Sequence, residues 1–187
     1  MHTTGRALAA LVLVVGAAAC TDDGEEPPAD AQTDHVALEL SVGPGAGDLS
    51  TQARDELQND VGAVLTTYVV DAFLGDYPRD DFVEGLDTFT SGVADQAAAD
   101  LNLVTGAGFG KDVQGVTATR LSATIASFVP TGEVVGVTAS VDLAFDVEAA
   151  DGTTSELTRR GRLMLMPDDG EWKIFGYDLT TEPGGDS

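Results

Sequence analysis

Residues 133–149 read EVVGVTASVDLAFDVEA. Val135, Val137, Ala139, Val141, Leu143, Phe145 and Val147 take alternate positions, and Gly136, Thr138, Ser140, Asp142, Asp146 and Glu148 fall between them. A period of two over so long a run describes a β-strand with one face on a core and the other in water. Turn chemistry bounds it on both sides. Pro130-Thr131-Gly132 precedes it and Ala150-Asp151-Gly152 follows it, each read as a three-residue loop ending on a left-handed glycine. Beyond these turns lie further strands, at 115–129 and 155–166. A third turn at 167–170, Pro-Asp-Asp-Gly, leads into a last strand at 171–181.

The loop lengths propose a register. The first sets Ile125 opposite Val137 and Leu121 opposite Val141. The second sets Phe145 opposite Leu157 and Val137 opposite Leu165. The third sets Leu165 opposite Trp172 and Leu163 opposite Ile174. Apolar residues then meet across all three joints, which a slip of one residue would destroy. The expectation is a curved, four-stranded antiparallel meander with one apolar face.

Upstream the period changes to that of a helix. Leu57, Val61, Val64, Leu65, Tyr68, Val69, Ala72 and Phe73 form one stripe, after N-cap candidates Asp48 and Ser50 and before Gly75 and Pro78. A second helix is predicted from Asp80 with the stripe Phe82, Leu86, Phe89 and Val93, broken near Thr90-Ser91 by glycines at 85 and 92. A short third helix spans 94–103. The run Gly106-Ala107-Gly108-Phe109-Gly110 is a connection and lacks the Gly-Lys-Ser/Thr ending of a phosphate loop. Val36, Leu38, Leu40 and Val42 alternate as a short strand, and its place relative to the meander is open.

A long helix, shorter helices and then long antiparallel strands over residues 50–181 resemble the NTF2-like, cystatin-like α+β superfamily. That resemblance implies a cone whose concave sheet face receives N-terminal helices and whose open end forms a pocket. It also implies functions ranging from isomerases and dehydratases to binding and structural modules.

The proposed register gathers Thr119, Leu143, Arg159 and Asp178 into one row on the core-facing side. Arg159 and Asp178 are a charged pair on adjacent strands, with Tyr68 and Asp71 approaching from the long helix. Such a set suits anchoring a ligand, because the arginine keeps the carboxylate ionised and so works against proton transfer. The competing reading is a charge pair at the rim with no ligand. On the other face Arg120, Asp142, Arg160 and Tyr177 form a second row, with Arg162, Met164 and Phe175 near it. This face suits a partner or a second copy of the chain, forming a homodimer. No catalytic residues are identified. His35 is the only histidine after Cys20, and no metal site or cofactor is expected. The acidic turns at 151–152 and 168–171 lack the full calcium-loop pattern.

The N-terminus supplies an address. Arg6 precedes the uncharged run ALAALVLVVGAAA at 7–19, which is too short to span a bilayer, and Ala17-Ala18-Ala19 lead into Cys20, the single cysteine. These residues resemble a bacterial lipoprotein lipobox, with Ala17 standing where leucine is commoner. The resemblance implies cleavage before Cys20 and lipidation of its thiol, with a palmitate-type acyl chain among its lipids. The membrane is then a partner through that lipid, and the chain sits on the outer face of the cytoplasmic membrane. Two acyl chains hold firmly where one is marginal. Residues 20–34 carry six carboxylates and two prolines and read as a disordered tether. Its fourteen residues 21–34, fully extended, reach about 46 Å. The domain is expected at 35–181, with a loose tail at 182–187.

The formal net charge is −23, and all 32 acidic residues follow Cys20. A surface so acidic repels phosphate backbones and argues against nucleic acid. The expected function is therefore a non-catalytic, lipid-anchored envelope domain that binds a small apolar ligand or an envelope protein. The alternatives are an envelope enzyme using acidic and tyrosine groups in the cone, and a structural lipoprotein.

Overall fold

The computed structural model describes residues 36–47 and 49–183. The signal, Cys20, the tether, Asp48 and the last four residues lie outside them. The elements run β1 (Glu39–Val42), α1 (Thr51–Phe73), a 3₁₀ turn (Val83–Leu86), α2 (Ser91–Ala99), α3 (Leu101–Val104), and a second 3₁₀ turn (Gly106–Phe109). Four long strands follow: β2 (Val113–Phe128), β3 (Gly136–Ala149), β4 (Thr154–Asp168) and β5 (Glu171–Pro183).

The sheet has five strands in the order β1-β2-β3-β4-β5, and β1 runs parallel to β2. This corrects the expected four-stranded antiparallel meander of the NTF2-like cone. The first strand comes before every helix, so the helices are inserted between β1 and β2. The pairing has a physical reason. Leu40 and Val42 sit beside Ala123 and Ile125 and pack against the core, while the edge of β2 would otherwise expose a row of unpaired backbone groups. Gly43 N–H donates to Ile125 O at 2.7 Å and Ser127 N–H to Pro44 O at 2.9 Å, which extends the contact past the strand.

Helix α1 starts where the Ser50 hydroxyl accepts from Ala53 N–H at 3.1 Å. It buries Leu57, Val61, Leu65, Tyr68, Val69, Ala72 and Phe73 on the sheet. The helix expected from Asp80 does not form. Its first half is a 3₁₀ turn, and Thr88–Thr90 run extended beside β5, exchanging bonds with Ile174 N–H (2.8 Å) and Ile174 O (2.9 Å). The Thr90-Ser91 break is where α2 begins. The whole segment thus spans one face of the sheet and shields part of the β5 edge.

Register decides which side chains reach that face. Between β3 and β4, Phe145 faces Leu157 and Val137 faces Leu165. Between β2 and β3 the loop is longer than three residues, so Ile125 faces Ala139 and Leu121 faces Leu143. That is a shift of two, so the same residues stay in the core. Between β4 and β5 the outcome differs. The turn is the pair Asp169-Gly170, and both have positive φ (51° and 88°), as the tight hairpin turns that match strand twist require. A bulge then follows: Leu165 faces Ile174, yet Met164 faces Gly176, and Phe175 is the extra residue. From there on every side chain of β5 changes face.

Candidate functional site

The tighter turn and the bulge together dissolve the expected inner row. Arg159 is opposite Thr181, and Asp178 is opposite Arg162 on the outer face. Asp178 pairs there with Arg162 at 2.5 Å, both more than half exposed. Thr119 is the extra residue of a second irregularity, between Ala118 and Arg120, and it is exposed. Of the four expected ligand-site residues, the structure brings together Arg159 and Tyr68. Asp71 is half-buried, and its backbone carbonyl accepts from Arg79 Nη2 at 3.0 Å.

Arg159 and Tyr68 meet around the end of α3. An α-helix leaves its last four carbonyls without internal partners, and α3 has only four residues. Leu101 O receives Thr105 N–H (2.9 Å) and the Thr105 hydroxyl (2.7 Å). Asn102 O accepts from Arg159 Nη2 at 3.2 Å and Leu103 O from Arg159 Nε at 3.1 Å. Val104 O accepts from the Tyr68 hydroxyl at 2.7 Å. All four carbonyls are satisfied, and Arg159 Nη1 donates further to the Thr181 hydroxyl at 2.6 Å.

The clamp is dry and closely packed. Arg159 is 1% exposed and Tyr68 is 0% exposed. The guanidinium carbon sits 5.4 Å from the Phe109 ring centre, a cation–π distance. Phe73 and Phe145 stack at 5.0 Å, and Tyr68 meets Phe73 and Phe89 edge-on. A side-chain carbon at Gly108 would collide with Asn102 O, and one at Gly106 with the Tyr77 hydroxyl. Gly106 and Gly108 therefore admit this packing. Burial pulls the Arg159 pKa down, against a small opposing contribution from Tyr68. Burial likewise pushes the Tyr68 phenol well up, although the Arg159 charge opposes it. Both groups keep the protonation state in which they donate.

The outer face carries a ladder of exposed charge pairs. Asp142 accepts from Arg120 (2.9 Å) and Arg160 (3.2 Å), and Arg160 also pairs with Glu182. Burial works to raise the Asp142 pKa, but the bonds from Arg120 and Arg160 outweigh it and hold the carboxyl below the usual range. The expected fourth member, Tyr177, is on the opposite side, a correction that follows from the same bulge. It faces Leu163 in the core layer, packs edge-on against Phe89, and donates to Asp100 at 2.7 Å. At one end of the outer face the charges give way to exposed apolar groups: Phe128 (65%), Phe175 (44%), Val135 (42%) and Met166 (39%). They line one open groove of about 520 Å³ with Ala126, Gly136 and Thr138.

Sequence reasoning missed Phe128, Val135 and Met166. Phe128 and Met166 had a signal. Each occupies an outward position of its strand, where alternation calls for a polar residue. Among the described residues no cluster of three or more metal-ligating side chains occurs, and no helix is long and apolar enough to cross a membrane. No protein-family model, curated protein or solved structure matches the chain.

Proposed function

We propose that the chain is a lipid-anchored protein of the bacterial cell envelope that acts without catalysis, engaging a protein partner through the outer face of its sheet. The single observation that carries the interaction reading is the exposed cluster of Phe128, Val135, Met166 and Phe175 beside a charge ladder. Contiguous apolar surface rimmed by polar groups marks association sites. The helix-covered face offers less support for a ligand, because Arg159 and Tyr68 are engaged by α3 and Asp178 points the other way. The same facts weaken the enzyme reading, which needed these groups in a pocket. The anchor rests on the sequence of residues 6–20 alone.

A photo-crosslinking amino acid placed at Met166 in the full chain, in its native membrane, tests the face. A protein adduct at Met166, absent with the probe at the exposed helix position Val70, supports the proposal. Equal labelling at both positions, or none at Met166, removes it. The anchor has its own check: the intact mass of the chain extracted from membranes should show an N-terminus at Cys20 carrying acyl chains, and an unmodified Cys20 would refute lipidation.

A further inference from the structure

We infer that the occupant of this face is a second copy of the same chain, related by a two-fold axis lying parallel to the strands and between β3 and β4. The inference rests on the outer face being the interaction surface proposed above. It comes from the order of side chains across the four long strands.

Four complete outward rows can be read from the pairing. They are Arg120-Ala144-Thr158-Glu182, Ser122-Asp142-Arg160-Thr180, Thr124-Ser140-Arg162-Asp178 and Ala126-Thr138-Met164-Gly176. A two-fold axis along the strands reverses each row and leaves its level unchanged, so β2 lies over β5 and β3 over β4. Arg120 of one copy then meets Glu182 of the other, and Asp142 meets Arg160. Ser122 meets Thr180 and Ala126 meets Gly176, so small residues oppose small or medium ones, while Ala144 and Thr158 are buried beneath their neighbours between Arg120 and Glu182. Arg162 and Asp178 meet the hydroxyls of Ser140 and Thr124. No like charges coincide in these rows. At the apolar end Phe128 is opposite Gly136 and Met166 opposite Lys173, so Phe128 falls on the Lys173 stem of the second copy, and the bulged Phe175 stands nearer the Met164 row. An in-plane axis across the strands fails the same test, because it lays the apolar end on the acidic end of the sheet.

Charge favours a second copy over an unrelated acidic protein. The rows hold three arginines and three carboxylates and sum to zero on a chain whose net charge is −23. This neutral patch lets two acidic molecules approach. The limit of the interface is also visible. The next row, Thr117-Asp146-Glu156, would bring carboxylates together, so contact stops before it. Five rows across four strands, at about 4.8 Å between strands and about 6.6 Å between rows, cover about 600 Å² per copy. That gives about 1,200 Å² in total, at the lower bound of stable protein interfaces. Both copies of residue 36 stand at the same level along the axis, which suits two chains anchored in one membrane.

The test uses the full chain in membranes with Cys20 kept. Phe128→Cys and Lys173→Cys are introduced singly and together, and the membranes are oxidised. β2 and β5 are three strands apart in one chain, about 14 Å, too far for an internal disulfide. The double variant is expected to give a covalent dimer beyond the background of the parent chain, and neither single variant should do so. Charge reversal gives a check that does not depend on a new bond. Arg120→Glu and Glu182→Arg, both on exposed side chains, should each weaken the detergent-solubilised dimer about tenfold, since each pair occurs twice. The double reversal should restore it. Self-linking of either single cysteine variant would overturn this axis. A parent chain that sediments as a monomer at tens of micromolar would overturn the second copy. If the Met166 probe then captures a different protein, the face reading survives alone; if it captures nothing, both fall.

Discussion

Replacing Arg159 with methionine tests whether the most buried charge among the described residues is structural. Methionine keeps an unbranched stem in the same packing and deletes the donors. The Thr181 hydroxyl is on an exposed residue and can turn to water. Asn102 O and Leu103 O would each lose their Arg159 donor. An unsatisfied buried acceptor costs about 1–3 kcal/mol, so two give at most about 2–6 kcal/mol, and water reaches part of it because Asn102 is exposed and Leu103 half-buried. Part of this is returned, because the variant no longer desolvates a guanidinium with no carboxylate against it. A net destabilisation of about 2–3 kcal/mol is expected, equal to a fall in Tm of about 4–12 °C for a domain of this size. The loss should be local as well as global, with hydrogen exchange accelerating over residues 101–109. Arg159→Lys should recover only part of the stability, since a single ammonium cannot reproduce the guanidinium fork. If Arg159→Met melts at the parent temperature with exchange unchanged at 101–109, the clamp is wrong and the arginine is held for something it binds.

The remaining predictions concern pH. Burial raises the phenols of Tyr77 and Tyr177 to about 12 and that of Tyr68 further, with the bond to Asp100 adding to the shift at Tyr177. A raised phenol contributes stability that is complete below its unfolded pKa of about 10 and is lost as pH rises through the folded value. Alkaline titration should therefore show phenolate absorbance rising together with loss of circular dichroism; a phenol ionising near pH 10 in the folded chain would refute this. Asp142 behaves in the opposite sense, since a lowered carboxyl contributes stability above its unfolded pKa that is lost as pH falls through the folded value. Urea midpoints below about pH 4 should fall less steeply in Asp142→Asn than in the parent, and parallel curves would show that the ladder contributes nothing measurable.

Much of the sheet could be read from local pattern because side-chain alternation is local. The faces of β3 and β4, and of β2 from Arg120 on, follow from it, and the glycines at 132 and 152 have the positive φ that their turns suggested. What could not be read was non-local. Leu38, Leu40 and Val42 show a strand but not its partner, and parallel pairing with β2 leaves no mark on either sequence. The partners of Arg159 are backbone carbonyls, which every residue has. The third-helix stretch 94–103 splits at Asp100, into α2 and α3, and that split creates the orphan carbonyls Arg159 serves.

The β5 bulge was legible and was missed. Along Ile174-Phe175-Gly176-Tyr177 two apolar residues adjoin and a glycine follows, which breaks a strict period of two. Glycine within a strand often marks a bulge. Taking Ile174, Tyr177 and Leu179 as one face requires one extra residue, and Phe175 is that residue. Its consequences reach both faces. On the inner side it removes Asp178 from Arg159 and brings in Tyr177, leaving the arginine to the carbonyls of α3. On the outer side it delivers Asp178 and Glu182 to the arginines of β4 and exposes Phe175 itself. The interior site and the neutral outer face are therefore alternatives set by one inserted residue. With Phe175 in place, the charges expected in a pocket stand on the outer face, the surface for which self-contact is proposed.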